Sequence, residues 1–302
     1  MVTKNTRILT ALGLVGILLG GALPSEAAFE DIEVSPRTRS MGSAFMGLKA
    51  DVYAPFHLAS SLAWIENIEA TGSFLRPFGL DFASQAVISG VGRLPGNLGG
   101  VGIGIRRFGV EYGGENLTGE TTVALGYGVR LLDDLQSQLS LGATLNWYSL
   151  DYGLSHVADA VDPGSDNSIT IDISAQAVVQ ERTTVGFYAQ NVTNTTIGSL
   201  DKEELRRRVG VGVSYQPYRG VSTMLDITTE QGEEVQYRGG AEFQVIEYLW
   251  VRGGIRTQPN IFTAGIGAAV KGIRLDYGFS TGGGVLDATH HIGIGYSPPD
   301  RQ

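Results

Sequence analysis

Arg208-Val209-Gly210-Val211-Gly212-Val213-Ser214-Tyr215 alternates without a fault: Val209, Val211, Val213 and Tyr215 face one way, and Arg208, Gly210, Gly212 and Ser214 the other. Ile273-Arg274-Leu275-Asp276-Tyr277-Gly278-Phe279-Ser280 repeats the pattern, with Ile, Leu, Tyr and Phe opposing Arg, Asp, Gly and Ser. A period of two places successive side chains on opposite faces of a strand. The polar face holds glycine as well as charge, and comparable segments continue from about residue 137 to the terminus. A closed membrane barrel accounts for both facts, with lipid on one side and a confined interior on the other.

Working outward, fourteen strand candidates follow Asn67, near 68–77, 82–91, 99–109, 118–130, 137–150, 167–179, 182–192, 204–216, 219–228, 234–246, 248–256, 260–270, 272–280 and 286–297. An even number returns both ends of the chain to one side, as single-chain bacterial barrels require. The connections at 110–117, 151–166, 193–203, 229–233, 257–259 and 281–285 would be external, and those at 180–181, 217–218, 247 and 271 internal and very short. Long loops outside and tight turns inside are the usual asymmetry of such a barrel.

Face assignment sharpens the reading. Sets such as Val101/Ile103/Ile105, Leu139/Leu141/Ala143/Leu145/Trp147 and Val221/Thr223/Leu225/Ile227 are free of charge. The opposite faces carry Arg106, Arg130, Asp172, Arg208, Asp226, Arg238, Glu242, Arg252, Arg274 and Asp276. A basic group on the lipid face at mid-bilayer would cost about 2–4 kcal/mol. These charges therefore belong to the lumen, where pairing would make a polar network and a wide aqueous pore would keep them apart. Inward glycines, including Gly102, Gly104, Gly126, Gly128, Gly265 and Gly267, make room for something against the wall.

The composition agrees. The chain has 302 residues, 43 of them Gly, with 22 basic and 31 acidic side chains and no Cys. Interior Gly disfavours a helical architecture. No basic patch resembles a nucleic-acid footprint, so nucleic acid is not an expected partner. The absence of Cys removes disulfides, thiolate metal sites and a cysteine nucleophile. No motif asks for a cofactor or a metal.

Residues 1–27 read as a signal peptide: Lys4 and Arg7 precede an uncharged stretch from Ile8 to Leu23, and Ser25-Glu26-Ala27 is a small-x-small cleavage site. Its removal would leave residues 28–67 as an N-terminal hatch or plug in the lumen, with a short helix near His57 to Trp64, and residues 68–302 as the barrel. Irregular backbone is excluded from hydrocarbon and tolerated when enclosed by protein. Tyr148, Tyr152, Tyr188, Tyr248 and Tyr296 fall near strand ends, as interfacial anchors do; Trp250, on the inward face, does not fit that scheme.

Ser40-Met41-Gly42-Ser43-Ala44-Phe45 followed by Asp51-Val52-Tyr53-Ala54-Pro55-Phe56, the strands Leu139–Ala143 and Val185–Asn191, and the ending from Leu275 through Tyr296 give the chain a resemblance to the outer-membrane long-chain fatty-acid channel (FadL-like) superfamily. By its short loops it is similar to the PorV-like branch, which includes a secretion shuttle protein. The resemblance spans nearly all of the chain after residue 27. It implies a fourteen-stranded barrel with a hatch in the lumen, set in the bacterial outer membrane among its lipids and lipopolysaccharide. It also implies passage of a hydrophobic solute through a small internal pocket. Relatives carry an Asn-Pro-Ala-Gly-Leu pattern in the hatch helix, whereas this chain reads His57-Leu58-Ala59-Ser60-Ser61-Leu62-Ala63. That departure puts the family's hatch mechanism in question.

Three functions follow as expectations. Passage of a small hydrophobic or amphipathic molecule needs an apolar pocket with one or two polar fixers; the candidates are Phe45, Met46, Tyr53, Phe56, Leu58 and Trp64, with Arg106 or Arg130 as the partner of a carboxylate. The alternative is a non-transporting scaffold or adaptor for another envelope or secretion-system protein, in which case the same residues only seal hatch to wall. Catalysis is not expected: His290-His291 with Asp287, or His57 with Ser60 and Ser61, are proximities along the chain, and a triad is defined by geometry. The acidic stretch around His156, Asp159, Asp162 and Asp166 matches no calcium-loop spacing.

Overall fold

The computed structural model describes residues 33–134, 136–153, 164–199, 202–282 and 286–298. The stretch expected as a signal peptide and most of the connection expected at 151–166 lie outside them.

Strands β1 (Glu69–Arg76), β2 (Ala83–Arg93), β3 (Gly100–Tyr112), β4 (Glu115–Asp133), β5 (Ser137–Tyr152), β6 (Ser165–Val179) and β7 (Thr183–Gln190) run antiparallel in sequence. After the short pair β8 (Thr196–Ile197) and β9 (Glu203–Glu204), the wall continues with β10 (Arg208–Tyr215), β11 (Val221–Glu230), β12 (Gln236–Ile246), β13 (Leu249–Arg256), β14 (Ile261–Val270), β15 (Ile273–Ser280) and β16 (Thr289–Tyr296). Fourteen of these close into one barrel, sealed where β1 meets β16 from Ala70↔Tyr296 to Arg76↔His290. Closure leaves no unpaired sheet edge.

The outer surface follows the predicted alternation. Val101, Ile103, Ile105, Leu141, Leu145, Val211, Leu225, Phe243 and Ile294 are all exposed on the outside, a belt that water would penalise and lipid accepts. No helix among the described residues is long and apolar enough to cross a membrane, so any crossing is made by strands.

The hatch lies in the lumen. It consists of a helical turn at Pro36–Arg39, started by Ser35, whose hydroxyl accepts from the Thr38 amide, then a turn at Ala54–His57 and a 3-10 helix at Ala59–Trp64. The short helix expected near His57 to Trp64 is the 3-10 helix at Ala59–Trp64, and a separate turn precedes it, set off at Leu58. Met41, Ala44, Met46, Leu58 and Leu62 are almost completely buried. A Cβ on Gly142 would overlap the Ala59–Ser60 backbone, so only glycine lets β5 and the 3-10 helix meet.

Two connections differ from expectation. The loop placed at 110–117 is a two-residue turn, because Gly113 and Gly114 both take positive φ (64° and 86°) and let β3 and β4 run on past the apolar belt. Charged residues such as Glu111 and Glu115 sit on that extension without cost in water. The strands placed at 182–192 and 204–216 are shorter: β7 stops at Gln190 because Asn191, at φ 54°, turns the chain inward. The Asp172 carboxylate accepts the Asn191 amide at 2.8 Å, replacing a ladder carbonyl. The excursion then buries Ile197 and Leu205 against Tyr148 and Leu150.

Candidate functional site

The lumen is built from wall side chains that reach the hatch backbone. The Asp226 Oδ2 atom accepts the amides of Phe45 (2.7 Å) and Met46 (3.1 Å), and Gln176 donates to the carbonyls of Met46 (2.9 Å) and Leu48 (2.8 Å). Ser73 donates to Val34, Ser89 to Val52, Gln190 to Phe56 and Ser214 to Gly47, while Ser174 accepts from Ser60. These tethers come from both halves of the barrel and satisfy the polar groups of an irregular segment in a dry place. Replacing Asp226 by Ala leaves two buried amides without an acceptor, at a cost of about 2–3 kcal/mol. Limited proteolysis is expected to cut the hatch of that variant faster than the parent's; equal cutting would show that the tether is dispensable.

A second cluster is ionic. Arg37 grips Glu242 through two donors at 2.7 and 3.0 Å, and Arg252 donates to Glu242 at 2.6 Å and to Asp276 at 2.7 Å. Arg274 closes the chain on Asp276 at 2.9 Å. Arg252 reaches Asp276 across β14 because that strand presents Gly267 there, where a Cβ would collide with both groups. The inward Trp250 has its explanation here: the Arg274 guanidinium lies 5.5 Å from its ring centroid. The charges are paired rather than spread around an open pore.

The third cluster is inside the hatch. His57 Nε2 is 3.1 Å from Glu33 Oε1 and its Nδ1 3.7 Å from Asp51 Oδ2, with the ring stacked on Phe45 at 4.6 Å. Burial pulls its pKa down, but the Glu33 and Asp51 carboxylates outweigh that and raise it to about 10. With a folded value above the ordinary 6.5, the stabilisation is complete below pH 6.5 and is lost as pH rises toward and through 10. Urea titrations at pH 6 and pH 10.5 should show a drop in midpoint on the alkaline side that shrinks in His57→Gln; an unchanged drop would place the titrating group elsewhere.

Two cavities flank this cluster, with no lining residue in common. The outer one, toward the long loops, measures about 50 Å³ and is bordered by Phe45, Phe56, His57, Arg106, Asp172, Arg206 and Arg208. The inner one, at the short-turn end, measures about 220 Å³ and is bordered by Arg37, Asp51, Tyr53, Glu69, Arg274 and Asp276 on its polar side and Ala50, Val52, Ala70 and Tyr296 on its apolar side. His57 borders the first and its partner Asp51 the second, so their contact is part of the partition.

Of the candidate ligand-binding residues, Phe45, Phe56 and Arg106 border the outer cavity and Tyr53 the inner one. Met46 and Leu58 are packed in the hatch core and border neither. Trp64 and Arg130 stack on each other, 5.1 Å apart, at the short-turn rim, away from both cavities. Within the lumen-charge set, Asp172 and Arg208 reach the outer cavity, Glu242, Arg252, Arg274 and Asp276 form the ionic chain, and Arg238 stands opposite Asp226 across the β11–β12 pair. Arg206, Asn191 and Glu33 were not singled out from sequence. Asn191 and Arg206 fall at the ends of the strands expected at 182–192 and 204–216, next to the 193–203 connection, and Glu33 precedes any alternating segment.

The residues weighed for catalysis are dispersed. His290 points outward, bonded to Tyr277 at 2.7 Å, while His291 is inward beside Arg39. Ser60 and Ser61 are buried in the 3-10 helix.

No protein-family model matches the chain, and no curated protein matches it. Solved structures do. The Ralstonia pickettii toluene transporter TbuX superposes with a TM-score of 0.63 at 13% identity, covering 87% of this chain and 98% of its own. The CymD monoaromatic hydrocarbon channel gives 0.61 at 12% identity, covering 91% and 100%. A Pseudomonas aeruginosa FadL homologue gives 0.57 at 11%, covering 89% and 99%. At such identities the likeness concerns the backbone alone: this chain has the fold of the FadL-like hydrocarbon channels.

Proposed function

We propose that the protein sits in the outer membrane of a Gram-negative bacterium, surrounded by lipid and lipopolysaccharide, and gives passage to small hydrophobic or amphipathic molecules. The observation that carries this reading is the pair of cavities divided only by the hatch, inside a barrel of the same fold as toluene and monoaromatic-hydrocarbon channels. The inner cavity exceeds the roughly 150 Å³ that suffices for benzene in a protein interior, and it offers an apolar side and a polar side to one guest. On this reading residues 1–27 are removed on export, 28–67 are the hatch and 68–302 the wall.

A second reading has its own support. The hatch is tethered to the wall by so many side chains that it suits a static plug, and the barrel would then be a scaffold or adaptor for another envelope or secretion-system protein, as the PorV-like resemblance implies. Vesicles with a lipopolysaccharide outer leaflet separate the two. Uptake of labelled toluene faster than in protein-free vesicles, and faster again in Asp226→Ala, supports passage. Rates equal to those of empty vesicles in both proteins would end the transport reading.

A further inference from the structure

The inner cavity has two poles. Along one side runs the ionic chain, in which Arg37, Arg252 and Arg274 stand against two carboxylates, Glu242 and Asp276. On the other side Glu69 of β1 borders the cavity together with Asp51 of the hatch, where His57 alone answers two carboxylates, Asp51 and Glu33. One side thus carries a surplus cation and the other surplus carboxylate.

The surplus groups also keep open donors and acceptors. Arg274 Nε lies 2.9 Å from Asp276 Oδ2 and the guanidinium rests on the Trp250 ring, but Nη1 and Nη2 have no partner among the described residues. The side chain is 38% exposed, and it borders the cavity. Arg37 gives Nε and Nη2 to Glu242 and leaves Nη1 open. Glu69 makes no ion pair among the described residues: the Ser297 hydroxyl is its hydrogen-bonding neighbour, and the Arg274 charge acts on it through space.

The wall keeps these opposite charges from closing on each other. Thr71 and Arg274 both pair with Gly295 of β16, so β1 and β15 stand two strand spacings apart, about 10 Å. Glu69 is the next residue on the Thr71 face, and Gly295 puts no side chain between the two poles. The opening of about 220 Å³ therefore separates a guanidinium from a carboxylate. A hydrocarbon alone would leave both poles unpartnered, and a simple anion or a simple amine would satisfy one pole and oppose the other.

We propose that the inner cavity binds a zwitterionic head, its oxyanion on the open donors of Arg274 and Arg37 and its primary ammonium on Glu69, with a short apolar part against Ala50 and Val52. The forked guanidinium donors match paired oxygens, and an ammonium donates where Glu69 can only accept. Two sources share this chemistry, a free amino-acid-like amphiphile and the phosphoethanolamine head of a lipid. The inference rests on the passage reading in taking the inner cavity as the place of the guest, and it narrows that guest to one class.

The full chain, purified in dodecyl maltoside, whose head group is uncharged, would be titrated calorimetrically at pH 7 with norleucine, hexanoate, hexylamine and hexan-1-ol, which share a carbon chain and differ in the head, and with dihexanoyl phosphatidylethanolamine below its micellar concentration. Norleucine or the phospholipid is expected to bind at least about tenfold more tightly than hexanoate, hexylamine and hexan-1-ol. Norleucine binding identifies a free amino-acid head, and binding of the phospholipid alone identifies a lipid head. In Glu69→Gln the zwitterion should weaken at least about tenfold while hexanoate binds more tightly than in the parent, a reversal that an unfolded variant could not give. If that variant does not fold, the ranking of heads in the parent decides. Zwitterions that bind no better than hexan-1-ol, or equally well in Glu69→Gln, overturn the site. Hexan-1-ol binding would then leave the passage reading standing, since that reading fails separately, on toluene uptake.

Discussion

Arg252→Leu is expected to destabilise the barrel by about 3–5 kcal/mol, the range for leaving a buried charge uncompensated. Arg252 is 2% exposed and is the only described residue bonded to both Glu242 and Asp276. Its loss takes one of two cationic partners from each carboxylate, leaving Glu242 with Arg37 and Asp276 with Arg274. Urea unfolding in lipid vesicles, followed by tryptophan fluorescence, measures the change. The double variant Arg252→Leu/Asp276→Leu should recover part of the loss because one of the half-paired carboxylates is removed with its partner. A single variant as stable as the parent would mean that water reaches this network freely.

The second large effect concerns the outer belt. Leu125→Arg places a cation on the exterior near the middle of β4, between Ile103 and Leu145 on the neighbouring strands, and should cost about 2–4 kcal/mol in a bilayer. Leu132→Arg, at the short-turn end of the same strand, should cost at most about 1 kcal/mol. The depth dependence is the informative quantity. Equal costs at both positions would contradict a hydrocarbon layer centred on Leu125.

How much of this was legible in the chain depends on which force set each feature. The wall was readable because one rule governs it: a residue facing lipid cannot be charged, so Val211 and Gly212 announce their sides without knowledge of anything else. The β3–β4 turn was misread because the rule weakens beyond the bilayer, where Glu111 and Tyr112 still pair in a ladder but no longer alternate by polarity. The break at Asn191 was invisible for a different reason. Its cause is the Asp172 carboxylate, 19 residues away along the chain and on another strand.

The site was legible only in outline. Inward charges could be found, but their pairings depend on register, and the reach from Arg252 to Asp276 needed the gap left by Gly267. Ser73, Gln85, Ser174, Gln176 and Thr263, which hold the hatch, are uncharged, and inward serines look alike whether they bind a backbone or water. Met46 and Leu58 were expected at a pocket because they are apolar and lie in the hatch. They instead make the contacts that leave no pocket there.

The placement of the hatch ahead of every strand has a consequence for the order of assembly. Arg39 donates to Ser280 and to His291, 241 and 252 residues later, and Gly42 donates to Thr263. The hatch, made before every strand of the wall, thus finds several of its partners in the last three strands. Contacts so distant in sequence form slowly. The plug therefore completes its contacts only as the final strands arrive, and a chain truncated before β14 would keep the tethers from Ser73 through Asp226 while lacking those from Thr263, Ser280 and His291.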